Sequence, residues 1–181
     1  MTHTVLASSQ SPEVLLPNDL LEWIDPHTLA RLVLAAVQAI NLPNPHTTGG
    51  PDPSADFRPH ILLGLLTYCY ATGIYSSADI ELSYANDRMV RHLCANTYPE
   101  AHRSRWFRRY SRQSILRCLA EVFHRAWRVR FGLPESSLDP AVASIGPSQD
   151  LTDGTDVLRF AAEAEERINR AVRLDCWAFD C

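Results

Sequence analysis

The sequence predicts an all-α protein, a multi-helix bundle containing a helix-turn-helix-like unit. Three observations carry this. Apolar residues recur at spacings of three and four over several segments, the mark of amphipathic helices. Capping residues or prolines stand in front of those segments. No alternating run of Val, Ile or Thr bounded by turns argues for a strand. The 181 residues, 46% of them hydrophobic, are enough for one domain with a real core.

Taken in order, residues 1–16 predict a flexible arm. Pro17-Asn18-Asp19 opens a helical region with Leu20, Leu21, Trp23 and Ile24 as its apolar patch. Asp25-Pro26 then supplies an N-cap and an N1 proline. Leu29, Leu32, Val33, Ala36, Val37 and Ile40 follow at helical spacing, so 26–41 should be a helix. Residues 42–56 hold four prolines and Gly49-Gly50 and predict a mobile loop. From Phe57-Arg58-Pro59 to about Gly73 the chain is apolar nearly all round, which predicts the central buried helix.

Ser76 or Ser77 caps a short helix to about Tyr84, and Asn86-Asp87 caps a second. A turn at 96–99 precedes another helix, the local order of a helix-turn-helix. With Ser104 as cap, Arg105, Arg108, Arg109 and Arg112 share one face, and Phe107 and Tyr110 lie opposite. Leu116, Leu119, Phe123 and Ala126 then occupy the face that the arginines began. A straight helix would expose one apolar set, so a break near 111–114 is expected, dividing a basic helix of 104–110 from a packed one of 112–131. Gly132-Leu133-Pro134 ends it, 132–154 reads as a linker, and Thr155 or Asp156 caps an amphipathic helix within 155–181. That helix's apolar positions include Val157, Leu158, Ala161, Ala164, Ile168, Ala171, Val172 and Leu174, with Trp177 and Phe179 at its end. Its stripe can pack on the same chain or on a second copy.

Charge is unevenly spread. Every basic residue apart from the histidines is arginine. Residues 88–130 hold eleven arginines against two acids, a formal +9, while the remainder has six arginines and 19 acids, a formal −13. Such a block marks a surface for a polyanion. Positive charge is disfavoured at a helix N-terminus, and the expected helix crowds Arg103, Arg105, Arg108 and Arg109 there. DNA phosphate is the expected compensation. The alternatives are a solvated basic face, or pairing with Glu163, Glu165 and Glu166 of the last helix.

One resemblance gathers these motifs. Pro59-His60-Ile61-Leu62-Leu63, Ser77-Ala78-Asp79-Ile80-Glu81, Asn86-Asp87-Arg88-Met89-Val90-Arg91-His92-Leu93 and Pro99…His102…Phe107-Arg108-Arg109 follow in the order and spacing of a known domain. The chain from about 16 to 131 resembles the N-terminal helical domain of bacterial insertion-sequence transposases of the DDE class. It departs from that pattern where the family commonly has Thr before Phe-Arg, offering Ser104 at a different offset. The resemblance implies a transposase-derived binder of double-stranded DNA, with Arg88, Arg91, Arg108 and Arg109 as basic positions. The charge argument adds Arg103, Arg105 and Arg112. A truncated transposase or a regulator of transposition is the expected identity, and a homodimer or a full-length transposase the further partner. The second function class is a helical interaction module docking an acidic partner or its own last helix.

Catalysis is not expected. The family's nuclease domain needs three carboxylates on a β-sheet. Asp153-Gly154-Thr155 resembles the start of such a site, but no apolar strand precedes it and too little chain follows. No metal or other cofactor is expected either. His92, Cys94 and His102 match no zinc spacing, nor do Cys176 and Cys181. No Gly-x-Ser-x-Gly elbow or phosphate-cradling glycine loop occurs. The five scattered cysteines, with no signal peptide or membrane span, point to the cytoplasm.

Overall fold

A computed structural model describes residues 16–40, 42, 58–132 and 154–179, with the last helix's side chains described over 158–176. The described residues form seven α-helices, no strand and one short 3-10 helix, Leu20–Glu22. Asp19 caps the 3-10 helix, accepting from the Leu21 N–H at 2.8 Å. Asp25 caps α1 (Pro26–Gln38) through the His27 and Thr28 N–H groups, with Pro26 inside the first turn. α2 (Pro59–Ala71) is buried without interruption from Leu62 to Ala71, the central helix its composition predicts. It ends as helices end at glycine: Gly73 takes φ +80°, and the Ile74 N–H reaches back to the Cys69 carbonyl at 2.8 Å.

Ser76 caps α3 (Ser77–Asn86), accepting from the Asp79 N–H at 3.0 Å. Asp87 both ends α3 and caps α4 (Arg88–Leu93). α5 is Ala101–Tyr110 and α6 is Arg112–Arg130, with the expected break at Ser111. α7 spans Gly154–Phe179. It packs chiefly on α6, which also bears on α1 and α2; α3 touches both α4 and α5. The last helix therefore lies on its own chain.

The start of α5 corrects the sequence reading. The helix begins three residues before Ser104, which is buried inside it and caps nothing. Its first turn is held from outside: Glu81 of α3 accepts the Ala101 N–H at 3.1 Å, an acceptor from another helix filling the role of a cap. Arg108 and Arg109 consequently stand in the last turn, where the helix dipole favours positive charge.

Several expected apolar positions also differ. Tyr110, Leu158, Val172 and Leu174 are exposed, whereas Ala164, Ile168 and Ala171 are buried. The expected arm up to Leu15, the loop over 43–56, the linker over 133–153 with Asp153, and Cys181 lie outside the described residues, as do the side chains of Thr155, Asp156, Val157, Trp177 and Phe179.

Candidate nucleic-acid interface

The seven arginines singled out by the sequence divide into three groups. Arg88 and Arg109 are exposed, and Arg91, half-buried, stands beside Arg88. Arg88 and Arg91, one turn apart on α4, line an open hollow with His92, Ala95 and Asn96. Arg91 is steadied by donating from Nη1 to the Ala85 carbonyl at 2.9 Å. The hollow's far wall is the turn after α4, where Ala95 and Asn96 both take left-handed φ, +50° and +60°. The Asn96 N–H meets the Arg91 carbonyl at 3.1 Å and closes the helix end. Arg109 is exposed near the end of α5. Among the described residues, neither Arg88 nor Arg109 has an ion-pair partner.

Arg103, Arg105 and Arg112 are half-buried. Arg103 faces Glu100 at 3.4 Å, which also lies 3.2 Å from His102. The compensating acid was present at i,i+3 all along. Arg112 donates to Asn169 at 2.7 Å and lies 3.5 Å from Glu165, both on α7.

Arg108 forms the third group and leaves the list of surface cations. It is 5% exposed, and its guanidinium is paired with Asp175 of α7 and bonded to the Tyr70 hydroxyl at 2.8 Å. Burial pushes the Tyr70 phenol up to about 12, with Arg108 pulling the other way, so Tyr70 meets Arg108 as a neutral hydroxyl. The compensation sought in DNA for this arginine is intramolecular. Its position four residues from Ser104 and next to Phe107 puts it on the inward side of α5 once the helix starts at Ala101.

Two residues of this buried network escaped the sequence reading, and both left a signal. Phe160, Ala164, Ile168 and Ala171 form the buried stripe of α7; Arg167 and Asp175 fall on it at the same spacings and are buried with it. Arg167 donates to the carbonyls of Tyr70, Ala71, Asn18 and Pro17, pairs with Glu163 at 2.8 Å and lies over the Phe123 ring at 4.6 Å. A charged residue on an apolar stripe must find partners inside.

On α5, Trp106 and Tyr110 stand one turn apart with ring centroids 4.7 Å apart. Tyr110 is 69% exposed, not on the buried side. Among the described residues no group of His, Cys, Asp and Glu is arranged to hold a metal ion, and no helix is long and apolar enough to cross a membrane. No protein-family model matches the chain, and comparison with curated proteins and with solved structures finds no match.

Proposed function

We propose that the chain is a transposase-derived DNA-binding protein of the cytoplasm, a truncated transposase or a regulator of transposition, that holds duplex DNA through arginines of α4 and α5. One observation carries the reading: Arg88 and Arg91 share an open hollow with His92, Ala95 and Asn96, whose four polar side chains can meet a phosphate. Arg105 and Arg109 add charge from α5. Arg103 and Arg112, already facing acids, serve as secondary contacts, and Arg108 holds the fold. In this reading α3, α4 and α5 act as the helix-turn-helix-like unit, a homodimer or a full-length transposase is the further partner, and the chain has no catalytic role of its own.

A gel-shift titration with mixed-sequence duplex tests this. Affinity should fall steeply between about 50 and 200 mM salt. Arg88→Ala, Arg91→Ala and Arg109→Ala should each weaken binding on every duplex and flatten the salt slope by about 1. Absence of any shift at about 50 mM salt overturns the reading. It would leave the second class, an interaction module with a basic face. That class is favoured by one observation: α7 already supplies partners for Arg108 and Arg112.

A further inference from the structure

Trp106 and Tyr110 form an aromatic pair that the core covers only on one side. Trp106 is half-buried and packs against the core. Tyr110 leans on it from outside, 69% exposed, adding an aromatic ring to the surface where a polar residue would serve the helix equally well. The charges around the pair narrow what it meets. Arg109 follows Trp106 by three residues, so this cation borders the rings, whereas Arg103, three residues before Trp106, is half-buried and faces Glu100. Arg109 is exposed. Rigid aromatic rings beside an exposed guanidinium suit a flat, electron-rich ligand joined to a negative backbone, which is the chemistry of a nucleotide.

A base inside a B-form duplex offers no free face. Its two faces are covered by neighbouring pairs, and reaching it costs unstacking. Phosphate contacts such as those open to Arg88 and Arg91 need no free base. The aromatic pair therefore asks for something that duplex alone does not provide.

Resting on the DNA-binding reading, we propose that Tyr110, backed by Trp106 and flanked by Arg109, is a stacking platform for an unpaired nucleobase, so that the preferred ligand is duplex DNA carrying a single-stranded loop or overhang. Trp106 fixes the angle of Tyr110 from below, and Arg109 holds the adjoining phosphate. The tyrosine hydroxyl has no part in stacking.

Fluorescence anisotropy with two labelled probes tests this: a mixed-sequence blunt duplex, and a hairpin of the same stem with an unpaired loop. The wild-type chain should prefer the hairpin. Tyr110→Ala should lose roughly 5- to 150-fold in hairpin affinity, the range for one base stacked on one ring, and keep its affinity for the blunt duplex. Tyr110→Phe should bind the hairpin like wild type. Circular dichroism checks that each variant keeps its helices. If folded Tyr110→Ala binds the hairpin as tightly as wild type, or if hairpin and duplex bind wild type equally, the platform is overturned while the DNA-binding reading stands. If Tyr110→Ala changes only self-association, the pair belongs to a protein contact and the inference fails. If neither probe binds at low salt, the DNA-binding reading itself falls and takes this inference with it.

Discussion

Asp175 accepts both the backbone N–H and the hydroxyl of Ser77, at 2.8 and 2.6 Å, across 98 positions of sequence. Ser77 is the first residue of α3, so the carboxylate lies at the positive end of that helix. Two turns earlier on α7, Arg167 meets the Tyr70 and Ala71 carbonyls, the negative end of α2. α7 thus carries opposite charges at a spacing that matches the two helix ends on either side of the turn at 72–76. Each charge also answers backbone groups that a helix end leaves unpaired. Arg108 completes the arrangement by pairing with the same Asp175.

Removing one partner of this buried pair should be costly. Asp175→Ala strands Arg108, which is only 5% exposed, and leaves the Ser77 N–H without its acceptor. The expected loss is about 3–5 kcal/mol, the range for breaking a buried ion pair from one side. Arg108→Met combined with Asp175→Leu should cost less than the sum of the single changes, because neither charge is then left buried alone. Urea unfolding followed by circular dichroism measures both. A loss under about 1 kcal/mol for Asp175→Ala would mean that water takes over its role.

Arg167→Lys should fail as a conservative change. The guanidinium spreads its donors over carbonyls from two separate segments, Pro17-Asn18 and Tyr70-Ala71, while also holding Glu163 and covering Phe123. An ammonium is a point charge without the planar fork, and it stacks less well. The expected loss is about 2–3 kcal/mol, comparable to one or two charged hydrogen bonds. Equal urea midpoints for the two proteins would show that charge alone suffices.

Much of this fold was legible because its signals are local. The caps at Asp25, Ser76 and Asp87, the proline that opens α2 and the break at Ser111 are each written within a few residues. The break is legible because Leu116, Leu119, Phe123 and Ala126 occupy the face that the arginines began, while Phe107 and Tyr110 lie opposite. Pairing with the last helix's acids was one of the alternatives and is met where Arg112 faces Glu165 at 3.5 Å, but other long-range partners could not be read. Ala101 is capped by Glu81 and Arg108 is answered by Asp175, and in neither case does sequence distance suggest the partner. Expecting Arg108 to meet phosphate, or one of Glu163, Glu165 and Glu166, therefore missed Asp175, the acid that answers it. The candidate site changed accordingly: within the block that charge singles out, burial decides which arginines face outward.

Stability should fall in alkali, and the composition makes the effect unusually clean. With no lysine present, cysteines and tyrosines are the side chains that titrate between about pH 8 and 12, arginine staying charged. Burial pushes the Cys118 thiol up to about 11, Cys94 up to about 12 and the Tyr70 phenol up to about 12. In each case the folded state keeps its proton at a pH where the unfolded chain has lost it. Stability is then full below about pH 8.5 and declines as pH rises towards these higher values, by about 1.4 kcal/mol per pH unit for each group in its window. Urea midpoints at about pH 8, 9.5 and 10.5 should decrease in that order. A flat series would contradict the burial of these groups. Alkylation of the native protein at about pH 8 should likewise spare Cys69, Cys94 and Cys118, all buried, and modify them once urea unfolds the chain.

The turn after α4 offers a test that separates shape from chemistry in the arginine hollow. Ala95 holds φ at +50°, a region that costs an alanine about 1–2 kcal/mol because its Cβ crowds the following carbonyl. Glycine adopts that conformation freely but gains entropy when unfolded, which offsets about 0.4–1 kcal/mol. Ala95→Gly should therefore stabilise the protein by about 0.5–1 kcal/mol. Ala95→Val, with a branched Cβ, should destabilise it by more than that amount. Ala95 is exposed, so neither change disturbs the core. The hollow's polar groups come from Arg88, Arg91, His92 and Asn96, and the glycine variant leaves them in place. Its affinity for duplex should match that of the wild-type chain while its urea midpoint rises. If Ala95→Gly instead weakens DNA binding as much as Arg91→Ala does, the stiffness of this turn, and not only its arginines, contributes to holding the phosphate.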